Sequence, residues 1–240
     1  PKKYSDIKTI CVGNIYLGGT GKTPLTDFLA NKFKKKFKTA IIKKKYSNHE
    51  DEKKLLEKNN KVFFEFNRKI SLLKAIKNRY ELVIFDDGLQ DKKINYDIKI
   101  VCFNSLSLAG NQLRLPAGPL REKLESLRKY DAVFIIGKSR NNKFKKKIKT
   151  INASIPIFYG EYACTNFKKF KKKGNIVFSG IGNPQSFINT LRQYGIKIKS
   201  NIIFPDHYNY TKADLERIKQ IAKNENLKIL TTEKDFCRIP

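Results

Sequence analysis

Apolar positions along this 240-residue chain gather into short β-branched and aromatic runs, separated by stretches with apolar residues every three or four positions. The runs TICVGNI (9–15), TAII (39–42), KVFFEF (61–66), ELVIF (81–85), IKIVCF (98–103) and DAVFIIG (131–137) predict strands. Helical periodicity covers 22–35, 68–79 and 120–129. This alternation predicts an α/β fold, a mostly parallel sheet with helices on both faces. A second series follows, with strands expected at 155–162, 175–181, 198–204 and 227–233, and helices at 184–194 and 211–224. Lysine-rich stretches at 141–150 and 167–174 flank the change between series. The expected division is a larger domain over 1–160 and a smaller α/β domain over 161–240.

Composition narrows the picture only in part. At 40% hydrophobic and 12% aromatic residues the chain can build a core, which excludes global disorder. Lys and Arg total 51 against 22 acids, a net charge of +29, which suits anionic partners such as nucleic acid, phospholipid or phosphorylated substrates. The lysines are diffuse and match no nucleic-acid-binding module, so no nucleic-acid partner is expected. Four scattered cysteines form no C-x-x-C pair, and Cys11 and Cys102 sit inside apolar runs, as buried thiols would. No apolar run approaches the roughly 18–20 residues that span a bilayer. The chain lacks methionine and stops at TTEKDFCRIP in mid-pattern, so it reads as a fragment.

Three stretches carry chemistry. GNIYLGGTGKTPL (13–25) follows a strand and opens a helix, as a phosphate-binding loop does, but Tyr16 stands where G-x-x-x-x-G-K-[ST] has its first glycine. Its residues Tyr16, Leu17, Gly18, Gly19, Thr20, Gly21, Lys22 and Thr23 are the expected ATP contacts. Lys22 is suited to the β/γ-phosphates and Thr23 to Mg²⁺. ELVIFDDGLQ (81–90) ends a strand on Asp86-Asp87, where P-loop enzymes place a carboxylate beside Mg²⁺. LRLPAGPLREKL (113–124) brings Arg121 and Glu122 to an expected helix start, where Arg suits phosphate and Glu suits the metal. Of the two histidines, His49 lies in a charged stretch that reads as exposed, while His207 follows Asp206 in FPDHYNY (204–210) and could serve an acid/base pair. These residues alone also allow another P-loop kinase, a nucleic-acid-stimulated ATPase or a nucleotide switch.

Taken in order, GNIYLGGTGKTP, IFDDGLQ, LPAGPLRE, SGIGNPQSF, FPDHYNY and TTEKD resemble the tetraacyldisaccharide 4′-kinase family, from about residue 8 to the end. That family's loop also lacks the first glycine. The resemblance implies a P-loop, Rossmann-like parallel sheet domain with a second, smaller α/β domain. It implies transfer of the ATP γ-phosphate to the 4′-hydroxyl of a tetraacyl glucosamine disaccharide 1-phosphate, a lipid A precursor. The expected setting is the anionic cytoplasmic face of the inner membrane, with a membrane helix preceding Pro1. By the same resemblance Thr23, Asp87 and Glu122 hold Mg²⁺, and Lys22, Asp51 and His207 are catalytic, Asp51 as the base. Tyr46, Arg68, Gln90 and Arg121 would lie near the substrate. The family's R-G-Y-G segment reads here as Lys44-Lys45-Tyr46-Ser47, with a shortened spacer to Glu50-Asp51-Glu52, and Asp91 replaces a histidine after Gln90. Altered activity at this segment is a further expectation.

Overall fold

A computed structural model describes residues 7–46, 50–164 and 166–240. Ser47 and His49 lie outside the described residues. The chain divides into two compact units, one of residues 1–49 and 56–161, the other of 50–55 and 162–240.

The first unit holds seven strands: β1 (Lys8–Gly13), β2 (Thr39–Lys44), β3 (Lys61–Glu65), β4 (Leu82–Asp86), β5 (Ile98–Asn104), β6 (Ala132–Ile136) and β7 (Ile157–Gly160). Their order in the sheet is β3-β2-β4-β1-β5-β6-β7, and every pairing is parallel. Alternate residues feed opposite faces. Cys11, Ala40, Ile42, Val83 and Phe85 pack with Leu72 and Ala75 of α3 (Arg68–Lys77). Ile10, Val12, Ile41 and Ile84 pack instead with Leu25 and Ala30 of α1 (Lys22–Phe33). Burial on both faces explains why these strands read as unbroken apolar runs. Cys11 and Cys102 are buried and free, and burial pushes both thiols well up from their usual range. The connections run one way from β1 to β2 and the other way from β4 to β5, so the switch point falls at the C-terminal end of β1. That is where doubly wound sheets bind ligands.

The second unit contains a three-stranded parallel sheet, β10-β8-β9, from β8 (Asn175–Ser179), β9 (Ile198–Ile203) and β10 (Lys228–Leu230). Its helices are α5 (Pro184–Gln193), α6 (Lys212–Asn224) and α7 (Glu233–Phe236). Thr211 and Asp214 cap each other's backbone amides at the start of α6, and Thr232 caps α7.

Several expected elements take another form. The run at 155–162 yields β7, which pairs with β6 at the edge of the large sheet and does not begin the second series. The helix expected over 120–129 is a 3-10 helix confined to Leu124–Lys129. Leu120 cannot enter it, because its backbone bonds back to Leu113 and Leu115. TTE does not extend β10, since Thr232 turns the chain into α7. Two charged segments without a strong pattern form helices: α2 (Glu50–Glu57), with Leu56 fully buried, and α4 (Asn142–Ile151), with Phe144 and Ile148 buried. In α4 an i, i+4 apolar pair, with Ile151 packed beside it, suffices to seat a helix half of whose residues are lysine.

Candidate active site

After β1 the chain runs extended rather than turning at once. Tyr16 forms an antiparallel bridge with Leu120, the Leu17 amide donates to the Pro119 carbonyl at 2.8 Å, and the Arg121 amide donates to the Ile15 carbonyl at 2.7 Å. A residue held in a strand-like bridge has no need of positive φ, so Tyr16 serves where other loops use glycine. The tight part of the loop comes later, at Gly18 (φ 113°) and Gly21 (φ 77°). Gly21 is the N-cap of α1, with no side-chain cap and no acid in the helix's first turn. The first amides of α1 and its positive dipole end are therefore suited to an anion. Asn14 steadies the loop by donating to the Thr20 hydroxyl at 2.9 Å.

Lys22 and Thr23 begin α1 and meet the end of β4. The Thr23 hydroxyl donates to Asp86 Oδ2 at 2.9 Å, and Lys43 Nζ lies 2.6 Å from the same oxygen. Lys43 and Asp86 are register partners on neighbouring strands, both almost fully buried. Asp87 follows in the left-handed region at φ 60°, its amide held by the Val12 carbonyl. Asp87 Oδ2 lies 3.7 Å from Lys22 Nζ and 3.5 Å from an Arg121 guanidinium nitrogen. The Oδ1 atoms of Asp86 and Asp87 are buried with no hydrogen-bond partner. Such orphaned carboxylate oxygens beside a threonine hydroxyl fit a hard dication. Among the described residues no three His, Cys, Asp or Glu side chains form a cage. Mg²⁺ bound with a nucleotide needs none, since phosphates and water complete its shell.

Glu122 stands beside this cluster with both oxygens engaged, accepting from Gln90 at 3.0 Å and from the Tyr130 hydroxyl at 3.0 Å. Burial and the neighbouring Glu122 carboxylate push the Tyr130 phenol well up, so it remains a donor. Gln90 also donates to the Asn14 carbonyl at 2.8 Å, tying the β4 loop to the phosphate loop. Arg68 is 7% exposed, and its guanidinium is directed at the Asp87 carbonyl and the Asp91 carboxylate. That placement braces the β4 loop from within the protein. Tyr46 is exposed after β2, with the Lys44 ammonium over its ring.

Asp51 and His207 belong to the second unit, and they meet. Asp51 was expected in an exposed stretch, yet it is 6% exposed on the first turn of α2. Its Oδ2 lies 3.4 Å from His207 Nδ1, 2.7 Å from Arg238 Nε and 3.9 Å from Lys234 Nζ. Lys234 Nζ is 3.2 Å from His207 Nε2. An ammonium only donates, so in neutral His207 the Nε2 accepts and Nδ1 carries the proton that faces Asp51. Sequence reasoning passed over Lys43, Lys234 and Arg238. Lys234 lies inside the TTEKD motif, and a lysine at the end of the apolar run AIIK is the signal that points to a buried partner for Lys43. Arg238 carried no signal.

The family profile described as tetraacyldisaccharide-1-P 4′-kinase matches residues 1–240. A tetraacyldisaccharide 4′-kinase of Pelagibacter ubique (strain HTCC1062) is 47% identical over 238 residues, covering 98% of this chain and 76% of that protein. One from Rickettsia bellii (strain OSU 85-389) is 36% identical over 258 residues, covering 97% of this chain and 77% of the relative. Among solved structures, LpxK from Aquifex aeolicus in complex with ATP superposes with a TM-score of 0.74 at 27% identity, covering 99% of this chain and 80% of that one. The profile match over the whole chain and the 47% identical relative agree with the phosphate loop and the paired aspartates: this chain belongs to the tetraacyldisaccharide-1-P 4′-kinase family.

Proposed function

We propose that this chain transfers the γ-phosphoryl group of ATP to the 4′-hydroxyl of a tetraacyl glucosamine disaccharide 1-phosphate, with the residue roles that follow. The observation that carries the reading is Lys22 and Thr23 on an uncapped helix start, facing Asp87 and Asp86 in turn. The α1 amides and Lys22 bind the β/γ-phosphates. Thr23 and Asp87 are the residues that would hold Mg²⁺, with Asp86 fixing the Thr23 hydroxyl and Glu122 close by. When bound, such a metal would supply charge neutralisation for the phosphoryl group in transfer. Arg121 adds a cation beside Asp87 that suits phosphate. Gln90 orders the two loops, while Tyr46 is the exposed candidate for the sugar substrate.

In the transfer, the 4′-oxygen bonds to the γ-phosphorus, the bond to the β-phosphate oxygen breaks, and ADP leaves. The proton lost by the hydroxyl goes to Asp51, with His207 orienting the carboxylate. A loose transition state releases that proton late, so a carboxylate suffices as base. We place the reaction at the anionic cytoplasmic face of the inner membrane, a setting that the net charge of +29 favours.

The test is a kinase assay with ATP, Mg²⁺ and the tetraacyl disaccharide 1-phosphate. Lys22→Ala should lower the rate by about a hundredfold or more while leaving the circular dichroism spectrum unchanged. Wild-type turnover in that variant would sink the mechanism.

A further inference from the structure

Asp51 is a short side chain on the first turn of a helix, and a base there needs its orientation fixed. The structure fixes it from one direction. Arg238 places Nε 2.7 Å and Nη2 2.5 Å from Asp51 Oδ2. The other oxygen, Oδ1, accepts only the backbone amide of Glu52, at 2.8 Å, among the hydrogen bonds described. Each carboxylate oxygen offers about two lone-pair directions. Oδ2 therefore carries the Nε hydrogen bond and the close guanidinium charge, with His207 Nδ1 3.4 Å away, whereas no cationic side chain is described on Oδ1.

Arg238 is itself held on a built platform. Its Nη1 donates to the Gly180 carbonyl at 2.6 Å and lies 3.2 Å from Asp235 Oδ1. Asp235 is fully buried, accepting from the Gly180 amide and the Tyr210 hydroxyl at 2.9 Å each, and from the Thr232 hydroxyl at 2.6 Å. The end of β8, the segment before α6 and the start of α7 thus converge on one carboxylate, which aims one guanidinium at Asp51. Both members of the Arg238–Asp51 pair are about 95% buried, with side chains 4% and 5% exposed. A buried, charge-assisted contact of this kind is directional and hard to rearrange.

We propose that Arg238 is a positioning residue for phosphoryl transfer: by holding Asp51 Oδ2 through the Nε hydrogen bond and its buried charge it leaves Oδ1 as the atom that takes the hydroxyl proton, with Asp235 as its anchor. The inference rests on Asp51 being the base, so Asp51→Ala is assayed alongside. Arg238→Gln should fold and lose about tenfold to a hundredfold in kcat, with KM for ATP unchanged. Arg238→Lys, which restores a cation, should recover part of that loss. Should Arg238→Gln prove unfolded, Arg238→Lys decides alone, with a lowered kcat at unchanged KM as the supporting result. The proposal fails if Arg238→Gln turns over within about twofold of wild type, if Lys recovers nothing, or if KM for ATP rises in step with the loss of kcat. Wild-type kcat in Asp51→Ala would instead remove the base assignment itself. A defective Asp51→Ala beside an undiminished Arg238→Gln would remove only the clamp.

Discussion

Gly21 turns the backbone at φ 77° immediately before Lys22. A Cβ there would meet Ile136 at 2.8–2.9 Å as well as the left-handed penalty. Gly21→Ala should therefore cost about 1–2 kcal/mol in urea unfolding and weaken ATP binding, which a fluorescent nucleotide titration would register. Lys43 presents a second single-residue dependence. Its ammonium is the close cation on Asp86, and both side chains are buried. Lys43→Ala should destabilise the protein by about 3–5 kcal/mol, because it strands a buried carboxylate next to Thr23. An unchanged denaturation midpoint would show that Asp86 finds other compensation. The GKT and the Asp-Asp pair were legible in sequence because each is a local pattern. The Lys43–Asp86 pair was not, since it depends on which strands become neighbours.

Among the elements, the segment 113–121 does more than lead into a helix. Its backbone is stitched to the phosphate loop at Ile15, Tyr16 and Leu17, so two motifs distant in sequence form one rigid unit. Tyr16→Gly, which restores the commoner loop pattern, should make the loop worse rather than better. Extra backbone freedom in a bridged position costs about 0.5–1 kcal/mol, and nucleotide affinity should fall with it. Tighter ATP binding in Tyr16→Gly would contradict this account. The helix expected at 120–129 was misread for the same reason: apolar spacing there suits a helix, but the carbonyl and amide of Leu120 are already committed to the loop segment. Conversely α2 and α4 escaped notice because a few buried side chains decide them amid many lysines and acids.

For the molecule as a whole, charge is the property that no single site explains. Exposed lysines line α4, at Lys143, Lys145, Lys146 and Lys147, with none of the first turn acidic. With a net charge of +29, association with vesicles containing anionic lipid should weaken steeply as salt shortens the screening length to about 3 Å at 1 M. Cosedimentation that persists at high salt, or that is equal on neutral vesicles, would count against an electrostatic attachment. No described helix is long and apolar enough to cross a membrane. Sequence by itself determined the α/β class, the positions of most strands, the phosphate loop and the paired aspartates at a strand end. Each of these rests on periodicity or on spacing within about a dozen residues. Only tertiary structure decided that β7 closes the first sheet, that Lys43 neutralises Asp86, and that Asp51 is buried and not exposed. Asp51 meets an arginine 187 positions away. Such contacts exist only once sheets have assembled, and a one-dimensional pattern holds no record of them.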